Sequence, residues 1–276
     1  MYLFLLQVDT AGKLSPDNAT VAECVSASCW YTQPPEYKIV YSTFDGRCGL
    51  SPNSTTLSIS DCSSQIFSGE KIIPVGSVEF VEKMMGLFYG KKHLKPIGIP
   101  EEILANQELM QELLHRKVVK CRSDSISRNA EVLSGESLFV KDVSRVKPEF
   151  GSDIVDRKDL ALLNVGPMVE LSEVFESASE WRAFVFAGRI RDIRCYSGDP
   201  FLIPAKGSIQ NILTQCKSAP RACTIDVMVQ PAKGNQRRTA LVEVHRFIAC
   251  GLYGFDNFSV IPQMLISAFE EELKSK

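Results

Sequence analysis

The stretch "CTIDVMVQPAKGNQRRTALVEVH", residues 223–245, decides how this chain is read. Two runs suited to strands flank the polar segment "PAKGNQRR", in which Gly234 and Asn235 supply a hairpin turn. With the turn centred between those two residues, Asp226 faces Glu243 across the pair, their Cβ atoms about 5 Å apart on one face. Opposed carboxylates repel each other, and a hard divalent cation taking oxygen ligands from both strands reverses the sign. The plain alternatives are a solvent-facing acidic pair or a slipped turn that separates them. His245 follows Glu243 by two residues and so points to the same face. There it can orient Glu243, join a metal shell, contact phosphate, or simply pack as a hydrogen-bonded residue. The "CGLYG" at 250–254 predicts a sharp turn, and Cys250 has no identifiable partner base that would make it a nucleophile.

Upstream, "SLFVKDV" (137–143) reads as an apolar strand carrying Lys141 near its end. A loop with Lys147, Phe150, Gly151 and Ser152 follows. A strand-end lysine beside a flexible loop can hold nucleotide phosphates, and the plain alternative is a snorkelling surface lysine. The segment "ELSEVFESASEWRAFVFAGRIRDIRCYSGD" (170–199) places Glu173 and Glu180 seven residues apart, then returns through Ala187-Gly188. Arg182 sits among apolar residues, where an unpaired charge is costly, so an anionic partner is expected: a protein carboxylate or a bound phosphate. Arg189, Arg191 and Arg194 make the return strand basic, a pattern that also suits a solvated sheet edge.

The remainder frames these pieces. The chain has 276 residues, 45% hydrophobic and 23% charged, enough for one large or two modest domains. A net charge of -2 argues against general nucleic-acid binding. "MYLFLLQV" lacks a preceding cation and reads as a buried strand rather than a signal peptide, and no run reaches membrane-spanning length. Nine scattered cysteines without a CxxC pair fit structural thiols in a reducing cytoplasm. The triplets beginning at Asn18 and Asn53 match the glycosylation pattern, a short motif that often arises by chance. Residues 51–64 read as loop and turn. "KIIPVGSVEFVEKMMG" reads as a strand, a turn and a helix opening at Ser77, and Pro100 opens a helix to about His115. A boundary near Lys95 divides a small α/β domain, 1–95, from a larger one, 96–276, which closes with the helix "IPQMLISAFEEELK".

Strand-lysine-loop, then a hinge with Glu173, Glu180, Trp181 and Arg182, then an aspartate, a hairpin and Glu-x-His together resemble the ATP-grasp superfamily. They look most like its bacterial and phage clade named for two arginines and a lysine, over roughly residues 96–276. That resemblance implies an α/β (α+β) fold of two lobes with ATP between two sheets, after a small α/β N-terminal domain. It implies Lys141, with Lys147 in the loop, on nucleotide phosphates, backbone contacts of Glu173, Val174 and Phe175 to adenine, and Glu180 on the ribose. It implies Asp226 and Glu243 as a magnesium pair and Arg182 and Arg194 as the two arginines, with Arg116 or Arg189 as alternatives. His245 departs from the family's usual asparagine, which puts the third metal ligand in doubt. The implied activity is an ATP- and Mg²⁺-dependent, ADP-forming ligase joining a carboxylate to an amine or thiol through an acyl phosphate. An amino acid, peptide or protein is among the candidate substrates. The alternatives are a kinase, or a non-catalytic nucleotide-binding protein on the same fold.

Overall fold

The computed structural model describes all residues except 30–36, 54, 56, 59–69, 97, 234, 235 and 276. The chain forms two compact units, one of Met1–Leu94 with Phe247–Lys276 and one of Lys95–Arg246. Strands β1 (Tyr2–Val8), β2 (Tyr37–Thr43), β3 (Arg47–Gly49), β4 (Leu57–Ser58) and β5 (Lys71–Val75) build the first unit's sheet. Their order is β4-β3-β2-β1-β5, and β1 lies between β2 and β5, both parallel to it. The run "LFLL" of β1 is wholly buried, as suits a strand flanked on both sides by parallel neighbours. Helix α1 (Pro16–Cys29) connects β1 to β2, and α2 (Val78–Tyr89) follows β5. Ser77 caps α2 by accepting the Phe80 N–H, as the sequence expects. Leu57–Ser58 is strand within a stretch expected to be loop, and much of the rest of 51–64 lies outside the described residues.

The second unit holds short helices α3 (Glu101–Leu104), α4 (Gln107–Leu113), α5 (Ile126–Ala130) and α6 (Lys206–Gln215). Its strands are β6 (Val118–Arg122), β7 (Ser137–Asp142), β8 (Ser152–Asp156), β9 (Met168–Glu173), β10 (Ser179–Phe186), β11 (Arg189–Gly198), β12 (Ala222–Lys233) and β13 (Gln236–Arg246). The single helix expected from Pro100 to His115 is two helices. Asn106 takes the Glu108 and Leu109 N–H groups on its side chain and starts a second cap there. The final helix α7 (Ile261–Lys274) packs with the first unit rather than with the domain the sequence assigned it to. Its Glu270 accepts from Tyr2 Oη at 2.8 Å and pairs with Lys71 Nζ at 2.6 Å, and Phe269 meets the Tyr89 ring edge-on.

Two antiparallel four-stranded sheets organise the second unit, ordered β6-β9-β7-β8 and β11-β10-β12-β13. Period-two alternation divides each into an apolar and a polar face. In the first sheet Leu138, Val140, Val169 and Leu171 pack on Ile126, Ala130 and Leu133. In the second, Trp181, Ala183, Cys223, Ile225 and Val227 pack on Leu113, Ile209 and Ile212. Lys141, Glu170, Arg182 and Asp226 are thereby left on the opposite faces. The β10–β11 hairpin closes through Ala187 and Gly188, both at positive φ (52° and 71°), which matches the strands' twist.

The β12–β13 hairpin carries two bulges that cancel. Asp226 opposes Glu243 and Lys233 opposes Gln236, both in the register of a turn centred on Gly234 and Asn235. That turn lies outside the described residues. Between these pairs the register slips by one, with Val242 the extra residue on β13 and a compensating extra residue on β12 near Pro231. The Val242 bulge matters because Leu241 already faces the core opposite Val227. Strict alternation would bury Glu243 beside it; one inserted residue sends Glu243 and His245 to the polar face and returns Val244 to the core.

Gly98 lies against both sheets. Its carbonyl accepts the Val244 N–H at 2.8 Å, its φ is +66°, and an added Cβ would sit 3.0 Å from Glu170 Oε1. Gly98→Ala is expected to cost about 1–2 kcal/mol from the left-handed backbone alone. Urea unfolding checks this, and an unchanged midpoint would show that the backbone there relaxes freely.

Candidate functional site

The polar faces of the two sheets border a cavity of about 560 Å³. The first sheet contributes Val118, Phe139, Lys141, Ile154, Glu170 and Ser172, and the second Glu180, Tyr196, Val242 and Glu243. Val174 and Phe175, just beyond β9, close one end. Phe175 meets Phe139 edge-on at 5.7 Å and lies under the Arg116 guanidinium, 4.4 Å from the ring centroid. This end is flat and largely apolar, with a cation–π contact holding one wall.

The other end is charged. Lys141 Nζ forms a close ion pair with Glu243 Oε2, joining the two sheets. Glu243 Oε1 meets His245 Nε2 at 2.5 Å. Behind them Arg182 grips Asp226 in a bidentate pair, with Nε to Oδ1 and Nη2 to Oδ2 both 2.8 Å. Arg182 is the residue opposite Asp226 on β10, and Asp226 is opposite Glu243 on β13, so the three form one transverse row. Glu170, on β9 between Lys120 and Lys141, adds a buried carboxyl to the facing sheet.

Burial sets the protonation behaviour. It lowers the Lys141 pKa, against the attraction of Glu170 and Asp226, and raises that of Glu170, against Lys141. Burial takes Arg116 down to about 10 and His245 down to about 4, so His245 is a neutral imidazole at pH 7. The Tyr196 phenol is pushed up by burial first and by Asp226 and Glu180 next.

Most residues singled out in the sequence converge here, though not all in the same way. Lys141, Val174, Phe175, Glu180 and Glu243 line the cavity. His245 and Lys147 line an adjoining hollow of about 290 Å³ that shares Lys141, Ser152 and Glu243 with it. Asp226 and Arg182 are buried behind the wall. The Glu173 carboxylate turns away and accepts the Lys117 and Ser134 N–H groups. Arg194 lies opposite Arg182 but pairs with Asp192 at 2.6 Å, and Arg189 is exposed at the start of β11. The arginine that does reach the cavity is Arg116. Glu170, Phe139 and Tyr196 were not singled out. The alternation that places Lys141 on the polar face also places Phe139 there, and strand pairing adds Glu170 beside Lys141.

The opposed carboxylates are balanced within the chain, Asp226 by Arg182 and Glu243 by Lys141. The donor set also suits a hard cation. Asp226, Glu243 and His245 each offer a ligand atom within 4.8 Å of the others, and two of the three donors are carboxylates. The loop leaving β7 is tied by Asp142, whose Oδ1 accepts the Ser144 N–H and whose Oδ2 accepts the Gly166 N–H.

Residues 113–262 match the model of an ATP-grasp domain family, the second family of the clade named for two arginines and a lysine. No curated protein matches the sequence. Among solved structures, the fold is similar to a RimK domain protein ATP-grasp from Sphaerobacter thermophilus DSM 20745. That pair has a TM-score of 0.50, 15% identity and all of both chains covered. It is also similar to N5-carboxyaminoimidazole ribonucleotide synthetase from Thermotoga maritima (TM-score 0.51, 13% identity, 96% of this chain and 76% of that one). A third is VanG D-Ala:D-Ser ligase from Enterococcus faecalis (TM-score 0.50, 12% identity, 98% of each chain).

Asp226→Asn should leave a guanidinium whose side chain is only 9% exposed without its counter-charge. The expected loss is on the order of 3 kcal/mol in chemical unfolding, typical of breaking one side of a buried pair. A loss near zero would mean that Arg182 finds solvent or another partner.

Proposed function

The chain belongs to the ATP-grasp domains of the two-arginine, one-lysine clade, and from that premise we propose that it is an ATP-dependent ligase joining a carboxylate to an amine. One observation carries this reading: a single cavity has an aromatic and aliphatic end at Phe139, Val174 and Phe175 and a charged end at Lys141 and Glu243. Its volume falls within the range of small-molecule sites. Adenine lies against Phe175 and Val174, and the phosphates extend toward Lys141. The names of two fold neighbours, a synthetase and a ligase, agree with this class of reaction.

In the proposed reaction a substrate carboxylate oxygen attacks the γ-phosphorus and ADP leaves. The amine then attacks the acyl carbon of the resulting acyl phosphate, and inorganic phosphate leaves. Lys141 offsets charge on the moving phosphoryl group from a partly buried position, where its field is weakly screened. Arg145 and Lys147, which line the adjoining hollow, extend that positive lining. Arg182 fixes the orientation of Asp226, so that carboxylate needs no reorganisation on binding. Asp226 and Glu243, with His245 beside them, would hold Mg²⁺, which supplies Lewis-acid neutralisation of phosphate oxygens. No helix among the described residues is long and apolar enough to cross a membrane. Cys24, Cys121 and Cys216 carry free, buried thiols, which suit a cytoplasmic setting.

Thermal melting with and without millimolar Mg-ATP tests nucleotide binding. At a hundredfold excess over Kd the stabilisation is about 2.7 kcal/mol. Lys141→Met should abolish most of that gain and all ADP release. Melting that does not respond to Mg-ATP would reject the nucleotide reading, whereas ADP release with no amine dependence would favour a kinase.

A further inference from the structure

The second unit holds another, smaller cavity that the proposed function leaves unused. It encloses about 330 Å³ and is bounded by α3, α4, β6 and the turn that follows α5. Val118 and Val119 both line it. Successive residues of a strand point to opposite faces, so a hollow that touches both lies along the strand's edge. β6 is the outer strand of its sheet, with β9 on one side only. The Val118 N–H, turned away from β9, is met there by the Met110 thioether, 3.4 Å from sulfur. A thioether is a weak acceptor for a backbone donor. A second donor stands two residues earlier. Arg116 is 7% exposed, and its Nη1 is taken up by the Leu114 and Leu241 carbonyls. Its Nε is buried with no hydrogen-bond partner, a costly state for a charged group. Lys117 is exposed, and the Glu173 carboxylate that attracts it already accepts the Lys117 and Ser134 N–H groups. Among the described residues no carboxylate lines this cavity. Leu104, Met110, Val132 and Leu133 make much of the remaining wall aliphatic, with the Gln107 and Gln111 amides beside them.

We infer that this cavity is a binding site for a short-chain aliphatic carboxylate, its head group at Arg116 and Val118 and its chain among the apolar residues. The donors select that class. Two cations with no facing acid call for an anion, and two unsatisfied N–H groups in one wall match the two oxygens of one carboxylate. A phosphate would bring more charge and more lone pairs than this wall has donors, and would lie against aliphatic side chains. A neutral hydrocarbon would leave both donors as they are. A chain of about six carbons gains affinity with each methylene it removes from water. Met110 covers the strand edge in the free protein, and its unbranched side chain can swing aside when a better acceptor arrives. The site does not depend on the nucleotide reading, although Arg116 stands in the walls of both cavities.

The test is a titration of the ¹⁵N-labelled full chain with sodium hexanoate, followed by NMR at the Val118 amide and the Arg116 Nε–H. Both resonances should shift and saturate. Hexanamide, the uncharged analogue, should bind roughly tenfold more weakly, the weight of a hydrogen bond to a charged group. Val132 is 61% exposed and lines this cavity but not the nucleotide one. Val132→Trp should therefore fill the space and weaken hexanoate by about tenfold or more. Gln111→Trp, from α4, is a second blocking variant should the first fold poorly, and melting without ligand checks each. Met110→Leu keeps the apolar volume and removes the competing acceptor, so hexanoate should bind about threefold tighter. No saturable shift at millimolar hexanoate would overturn the inference. Equal affinity for hexanamide would reject the head-group assignment, and full binding in both folded tryptophan variants would place the ligand elsewhere; either result sinks it. Unchanged or weaker binding in Met110→Leu would show that the Val118 N–H is not used, and the site as drawn would fail.

Discussion

The ion pair between Lys141 and Glu243 is the contact on which the second unit's arrangement turns. Each residue stands on the polar face of a different sheet, and each would be a costly partly buried charge without the other. Their pairing brings two rows of charge together. Lys120, Glu170 and Lys141 lie side by side across β6, β9 and β7, and Arg194, Arg182, Asp226 and Glu243 lie across β11, β10, β12 and β13. A cavity with charged floor and walls persists because each sheet's apolar face is satisfied elsewhere, on α4 and α6 for one sheet and on α5 for the other. The polar faces are thus free to meet across space rather than being packed shut.

Much of this was legible, because strand alternation is a strict geometric rule. Arg182 and Asp226 each sit between apolar neighbours, Lys141 follows the apolar run 138–140, and a period of two forces all three off the core. The pairing of Asp226 with Glu243 could be read from the turn only because two bulges, one on each strand, cancel between turn and site. One bulge alone would have displaced the pair by one residue. Nothing in "TALVEVH" announces that Val242 is the inserted residue, since bulges follow from how β13 must satisfy both a core and a cleft. Glu173 follows the same rule. It shares parity with Val169 and Leu171, so its side chain faces away from the cavity and is spent on backbone N–H groups. Its neighbours Val174 and Phe175, beyond the strand's end, reach the cavity instead.

What stayed illegible was long-range. Arg116 follows α4, far in sequence from the hairpin, yet it donates to the Leu241 carbonyl and lies over Phe175. Helix α7 returns to the first unit through Glu270, whose partner Tyr2 is 268 residues away in sequence. Local patterns carry no information on such closures. Asn106 was legible in principle, because its side chain competes with the backbone for N–H groups; in a helix-rich segment that competition ends one helix and starts the next.

The charges around the cavity also bear on the form in which a nucleotide can enter. Arg116, Lys141 and Arg182 face Glu170, Asp226 and Glu243, and His245 is neutral at pH 7 because burial lowers its pKa to about 4. Asp153 and Glu180 line the cavity as well, so carboxylates outnumber cations and the site as built has little net attraction for a bare triphosphate. A polyanion placed there would draw Lys141 toward itself and leave Glu243 with its charge uncompensated, next to Asp226 and close to the phosphates. That arrangement is favourable only if positive charge arrives with the ligand. A metal-bound triphosphate brings it to the place where two carboxylates are opposed, and Arg145 and Lys147 can add theirs from the adjoining hollow. The acidic pair and the strand lysine are then two halves of one device. The lysine balances Glu243 in the free protein, as Arg182 balances Asp226, and under the proposed function Glu243 would be compensated by a bound cation, leaving the lysine for the phosphate.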